Sequence, residues 1–100
     1  MRVELLYWRD CPSYPEAQTL LESVLRDRGI ESPIELREVR TQEEAEQLRF
    51  PGSPTIRIDG TDVDAAGENA RPALTCRIYH LADGRISPIP SRDLLEAAFR

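Results

Sequence analysis

Hydrophobic and polar residues along the first third of the chain change from a strand pattern to a helix pattern. Val3 to Trp8 is a short run of β-branched, leucine and aromatic residues, which predicts a buried first strand. From Tyr14 or Pro15 to about Arg28, apolar residues recur at spacings of three and four, which predicts a helix that ends at Gly29. The predicted buried face of this helix consists of Ala17, Leu20, Leu21, Val24 and Leu25.

The next segment repeats the strand–helix order. Ile34 to Val39 alternates apolar and charged residues, which predicts a second strand with one buried face. Thr41 and Glu44 have the spacing of a capping box and predict a second helix that runs through Leu48. Two strands separated by a helix favour a parallel pair.

The remaining elements predict a hairpin, a further strand and a terminal helix. Thr55 to Gly60 alternates again and ends in Asp-Gly, so a short hairpin partner that includes Val63 should follow. Residues 64–75 lack periodicity and are predicted to form a loop, and Cys76 to Leu81 is predicted to be a strand. Ser91 is the expected cap of the last helix. The inward-facing residues of that helix are expected to be Leu94, Leu95 and Phe99.

The element order predicts one α/β domain over residues 1–100, with the order β-α-β-α-β-β-α and an extra loop and strand at about 64–81. Its sheet should be mixed, parallel where helices cross over and antiparallel at the hairpin. The composition, 40% hydrophobic and 31% charged, is that of a folding globular chain.

The net charge and the hydropathy of the chain argue against two classes of function, nucleic-acid binding and a role within the membrane. A net charge of −5 argues against nucleic-acid binding, which depends on basic side chains that neutralise phosphates. No segment approaches the roughly 18 apolar residues of a membrane span, and the N-terminus lacks a secretory pattern. We therefore expect a cytoplasmic protein that needs no cofactor and whose partners are small molecules or proteins, without a nucleic-acid or membrane partner.

Cys11 is the strongest candidate for chemistry. It lies between the first strand and the first helix, where unpaired backbone N–H groups and the helix dipole favour the thiolate. Two cysteines are too few for a disulfide-stapled secreted scaffold. The second one, Cys76, is either a partner of Cys11 or a buried core residue, since free cysteine is often buried.

Cys11-Pro12-Ser13-Tyr14 before the first helix and Ser53-Pro54-Thr55 before the third strand together resemble the thioredoxin superfamily. With Thr75-Cys76-Arg77-Ile78-Tyr79, the chain is similar to short bacterial single-domain members that carry Cys-Pro-x-Tyr in place of Cys-x-x-Cys. The resemblance implies a thioredoxin-like fold, a nucleophilic Cys11 and a cis bond before Pro54. The residues that it assigns to substrate binding are Pro12, Tyr14, Ser53, Pro54 and Thr55.

Tyr14 stands where the second cysteine of Cys-x-x-Cys would be, so this motif cannot close its own disulfide. Three alternatives remain open. Cys11 acts alone and forms mixed disulfides with glutathione or a protein thiol, or Cys76 resolves the mixed disulfide on Cys11. In the third, the redox activity is lost and the fold serves only as an interaction domain. The main hypothesis is a thiol–disulfide oxidoreductase that uses Cys11 and Cys76. Alternatively, the two thiolates capture a soft ion such as Hg²⁺ or Cu⁺. His80 has no second ligand nearby in the sequence and is not assigned to a metal site.

Overall fold

A computed structural model describes all residues 1–100. The main sheet and the helices that connect it occupy the first two thirds of the chain. These elements are β1 (Val3–Tyr7), α1 (Tyr14–Asp27), β2 (Ile34–Glu38), α2 (Gln42–Leu48), β3 (Thr55–Ile58) and β4 (Thr61–Asp62). The remaining elements are a short 3-10 turn (Ala65–Glu68), a small hairpin of β5 (Tyr79–His80) and β6 (Ile86–Ser87), and α3 (Arg92–Ala98).

The main sheet has four strands in the order β2-β1-β3-β4. β1 pairs in parallel with β2, with Val3 opposite Ile34, and antiparallel with β3, with Val3 opposite Ile58. β3 and β4 form the antiparallel hairpin. The prediction of an α/β domain with a mixed sheet is therefore confirmed.

The core lies on both faces of the sheet because neighbouring residues of a strand point in opposite directions. Leu5 joins the larger cluster under α1 and α3, whereas Leu6 packs on the other face with Ala45 of α2. The larger cluster consists of Val3, Leu5, Ala17, Leu21, Val24, Leu25, Ile56, Ile58 and Leu95. The smaller one consists of Leu6, Val39, Ala45 and Phe50.

The predicted helix boundaries are confirmed by their caps. The Thr41 hydroxyl accepts a hydrogen bond from the Glu44 N–H at 3.1 Å, and the Ser91 hydroxyl accepts one from the Leu94 N–H at 3.1 Å. Each bond satisfies one of the free N–H groups of a first helical turn. Gly29, with φ +67°, follows the end of α1 as predicted.

Four sequence expectations need correction. Leu36 is 48% exposed rather than buried, because β2 is an edge strand that only β1 pairs with. β4 ends at Asp62, one residue before Val63. Residues 64–75 contain the 3-10 turn, and the strand predicted from Cys76 to Leu81 is limited to β5.

No helix is long and apolar enough to cross a membrane.

Candidate redox site

Cys11 and Cys76 form a disulfide, with Cα atoms 5.5 Å apart and a sequence separation of 65. Cys11 lies in the turn between β1 and α1, where its N–H donates to the Trp8 carbonyl at 3.0 Å. It precedes the N-cap residue Ser13 by two positions, so the sulfur belongs to the turn rather than to the first helical residue. Of the alternatives for Cys76, the structure supports a partner of Cys11.

The two cysteines differ in exposure. Cys11 is completely buried, whereas Cys76 is exposed. Cys11, the predicted reactive thiol, is thus shielded from solvent in the disulfide form, and Cys76 is not a core residue. Cys76 lines a cleft of about 230 Å³ together with residues that include Pro51, Ile78 and His80.

Cys11 also faces a backbone carbonyl. Its sulfur lies 3.6 Å from the Ser53 oxygen. The sulfur carries no proton in the disulfide, but the thiol formed on reduction can donate a hydrogen bond to this oxygen.

The segment that carries Cys76 is paired with the loop before β3. The Ser53 N–H donates to the Thr75 carbonyl at 2.8 Å, and the Ser53 carbonyl accepts from the Arg77 N–H at 2.8 Å. Ala73 extends this pairing by donating to the Phe50 carbonyl at 3.0 Å. Both backbone groups of Ser53, one of the predicted substrate-binding residues, are thus occupied by the protein's own chain.

The loop before β3 fits tightly beneath this segment. Gly52 has φ +136°, and a Cβ at this position would lie 3.1 Å from the Arg77 Cβ. Glycine therefore allows both the backbone conformation and the close approach. The Ser53–Pro54 peptide bond is cis, as expected, and Pro54 is buried.

Arg77 lies directly after Cys76 and forms a buried ion pair. Its guanidinium donates to both carboxylate oxygens of Asp62 at 2.8 and 3.0 Å, and to the Thr55 hydroxyl at 3.1 Å. Burial alone would lower the pKa of Arg77, but the hydrogen bond to Asp62 and the surrounding negative charge raise it above its ordinary value. The side chain is therefore a fixed cation on the residue that follows Cys76.

Tyr79 makes a second buried contact on the same side. Its hydroxyl donates to the Pro54 carbonyl at 2.6 Å, and the Arg77 guanidinium lies 4.5 Å above its ring centre. Burial raises the pKa of Tyr79, which the positive charge of Arg77 only partly opposes. The phenol stays protonated and keeps its hydrogen bond.

Two of the other predicted substrate residues, Tyr14 and Thr55, make contacts within the fold in the disulfide form. The Tyr14 ring stacks on Tyr7 with ring centres 4.2 Å apart, and Pro12 is exposed. Thr55 is buried and donates to the Gly52 carbonyl at 2.6 Å. No cluster of three or more metal-ligating side chains is present.

Sequence reasoning missed the buried ion pair between Arg77 and Asp62. Arg77 and Tyr79 belong to the motif that carries the resemblance, Thr75 to Tyr79, which was the available signal. The sequence around Asp62 gives no signal for this ion pair, because its partner Arg77 follows 15 residues later across an irregular loop.

No protein-family model matches the sequence, and neither a curated protein nor a solved structure matches it.

Proposed function

We propose that the protein is a thiol–disulfide oxidoreductase in which Cys11 and Cys76 are the redox couple. The observation that carries the proposal is one disulfide that joins a completely buried cysteine, Cys11, to an exposed one, Cys76, in a mixed α/β domain. An accessible sulfur is needed for exchange, and a second sulfur within reach is needed to complete it.

A thioredoxin-like fold is part of this proposal. The strand order β2-β1-β3-β4, with one parallel and two antiparallel pairings, supports it. So do α1 and α2, which pack on opposite faces of the sheet, and the turn after β1, which holds the Cys11 sulfur near the carbonyl of Ser53, the residue before Pro54.

The proposed roles of the two cysteines follow from access. Cys76 exchanges with the substrate because it is exposed, and Cys11 resolves the mixed disulfide from its buried position. This reverses the predicted assignment of Cys11 as nucleophile, which rested on its position before the first helix and on the resemblance to the thioredoxin superfamily.

In the reducing direction, the Cys76 thiolate attacks one sulfur of a substrate disulfide. The substrate S–S bond breaks, and the departing sulfur takes up a proton as a thiol. The Cys11 thiol then loses its proton to water and attacks Cys76, which releases the second substrate thiol and forms the internal disulfide. Two electrons reach the substrate, and two thiols of glutathione or of a protein reduce the pair again.

The test compares the single variants Cys11→Ser and Cys76→Ser, each fully reduced and mixed with glutathione disulfide. Cys11→Ser keeps the exposed sulfur, so it should accumulate a stable glutathione adduct at least tenfold faster than Cys76→Ser. The wild type should instead proceed to the internal disulfide. Equal rates, or a faster adduct on Cys11, would contradict the proposed roles.

A second candidate is capture of a two-coordinate soft ion by the reduced pair. The two sulfurs are brought together with no third donor, which suits an ion such as Hg²⁺ or Cu⁺ that prefers thiolates. Stoichiometric uptake of Hg²⁺ that is lost in both single variants, together with slow glutathione exchange, would favour this candidate over the oxidoreductase.

We further propose that the protein works in the cytoplasm. Glutathione and thioredoxin systems keep thiols reduced there, so the resting state would be the dithiol, and the disulfide would form during turnover.

A further inference from the structure

The contacts around Cys76 do not all depend on the disulfide. Thr75 and Arg77 each form one backbone hydrogen bond with Ser53, on either side of Cys76. These bonds remain possible when the S–S bond is open. Residues 69–71 and 75–76, however, are exposed, so solvent competes for this part of the segment.

A stronger attachment lies one residue further along the chain. The side chains of Arg77 and Asp62 are only 6% and 4% exposed, and two hydrogen bonds join them. Separating this pair would leave a charge in a buried site without its partner, which is far more costly than losing an exposed ion pair. The pair therefore opposes departure of the segment.

Asp62 is fixed by the main sheet, independently of the segment that carries Cys76. Asp62 lies in β4, whose partner β3 is bonded to the central strand β1. The Asp62 carboxylate also accepts from the Asp64 N–H at 2.9 Å. Gly67 packs so closely over the pair that a Cβ there would lie 2.6 Å from the Arg77 guanidinium nitrogen. Asp62, the partner of Arg77, is thus held in place by the sheet and by the adjoining 3-10 turn.

We propose that Arg77, through its buried pair with Asp62, is a positioning residue that keeps Cys76 against Cys11 when the disulfide is open. The proposal deepens the proposed oxidoreductase function, because the resolving step needs both sulfurs within reach. A pre-positioned pair closes as a unimolecular reaction with a high effective concentration. Arg77 thereby sets the reduction potential of the couple without touching the substrate.

The test measures the equilibrium between the protein disulfide plus two glutathione thiols and the protein dithiol plus glutathione disulfide. Wild type, Arg77→Met and Asp62→Asn are equilibrated in glutathione buffers, quenched with acid and counted by mass. Each variant should favour the dithiol at least tenfold more than wild type, which corresponds to a rise in potential of about 30 mV.

Arg92→Met is the matched control. Arg92 pairs with Asp27 and Glu96 and bonds to Ser23, so the variant loses an ion-pair network on α1 and α3 but leaves the loop that carries Cys76 intact. It should lower the melting temperature without moving the glutathione equilibrium. If Arg77→Met does not fold, Asp62→Asn, which retains the shape of the side chain, supplies the same comparison.

A shift of less than tenfold in the variants that fold, or an equal shift in Arg92→Met, would overturn the positioning role. The outcome is separate from that of the proposed function, because the equilibrium is defined even if Cys76 proves no faster than Cys11 with glutathione disulfide.

Discussion

Loss of the disulfide should destabilise the fold by an amount that follows from the length of chain it closes. Cys11 and Cys76 are separated by 65 residues, so the bond links the first turn of the protein to the segment before the second hairpin. In the chain-entropy model, a loop of this length restricts the unfolded chain by about 15 cal/mol/K, or about 4 kcal/mol at 25 °C.

This magnitude is large for a domain of this size. Single domains are stable by about 5–15 kcal/mol, so the bond supplies a substantial part of the total. Since 1 kcal/mol corresponds to about 4–8 °C in a domain of up to roughly 100 residues, the melting temperature should fall by roughly 20 °C. The reduced protein should remain folded under mild conditions, because the core clusters do not include Cys76.

The assay is urea unfolding of the wild type, oxidised and reduced, followed by circular dichroism. The control is the double variant Cys11→Ala/Cys76→Ala, on which the reductant should have no effect. If reduction lowers the free energy of unfolding by less than 1 kcal/mol, or if the reductant has an equal effect on the double variant, the cross-link is not a major source of stability.

Three further predictions concern contacts around the site and in the core. Gly52→Ala should make the disulfide easier to reduce in glutathione buffers, because the new Cβ pushes against Arg77, whereas Gly84→Ala, with φ +89° and open space, should not. Tyr79→Phe should lower the free energy of unfolding in urea by about 1–3 kcal/mol at pH 7 by removing the donor to a buried carbonyl. Because burial raises the pKa of Tyr79 in the fold, the unfolded chain releases this proton first, so wild type should lose stability above about pH 10 more steeply than Tyr79→Phe. Leu5→Ala should cost about 2–5 kcal/mol in the same urea assay, and Leu36→Ala, at a half-exposed edge position, under about 1 kcal/mol.

A specific result would contradict each of these predictions. Equal reducibility of the two glycine variants would show that close packing at Gly52 does not position Cys76. Parallel pH profiles for wild type and Tyr79→Phe would contradict a raised phenol pKa. Similar costs for Leu5→Ala and Leu36→Ala would contradict the assignment of β2 to the sheet edge.

Local signals predicted most of the secondary structure. The helix boundaries at Thr41 and Ser91 were predictable because a hydroxyl cap acts on an N–H only three residues away. The Asp59-Gly60 turn was predictable for the same reason, since its left-handed conformation is a property of those two residues.

Features that depend on distant partners were not predictable. The alternation of β2 suggested a buried face, but burial of Leu36 depends on whether another element covers the edge. For Cys76, the local pattern suggested a strand. Its exposure results instead from long-range pairing with Ser53 and from the Arg77–Asp62 contact, for which the intervening loop gives no pattern. The sequence therefore indicated Cys11, Cys76 and Pro54, but not that one cysteine is buried and the other exposed.

The most direct test of the central claim is competitive alkylation of the reduced wild type at pH 7, with less than one equivalent of iodoacetamide and mass-spectrometric counting of each cysteine. We predict that Cys76 is modified at least tenfold faster than Cys11, and that glutathione disulfide oxidises both thiols together to one internal disulfide. Faster modification of Cys11, or separate glutathione adducts on the two cysteines, would contradict it.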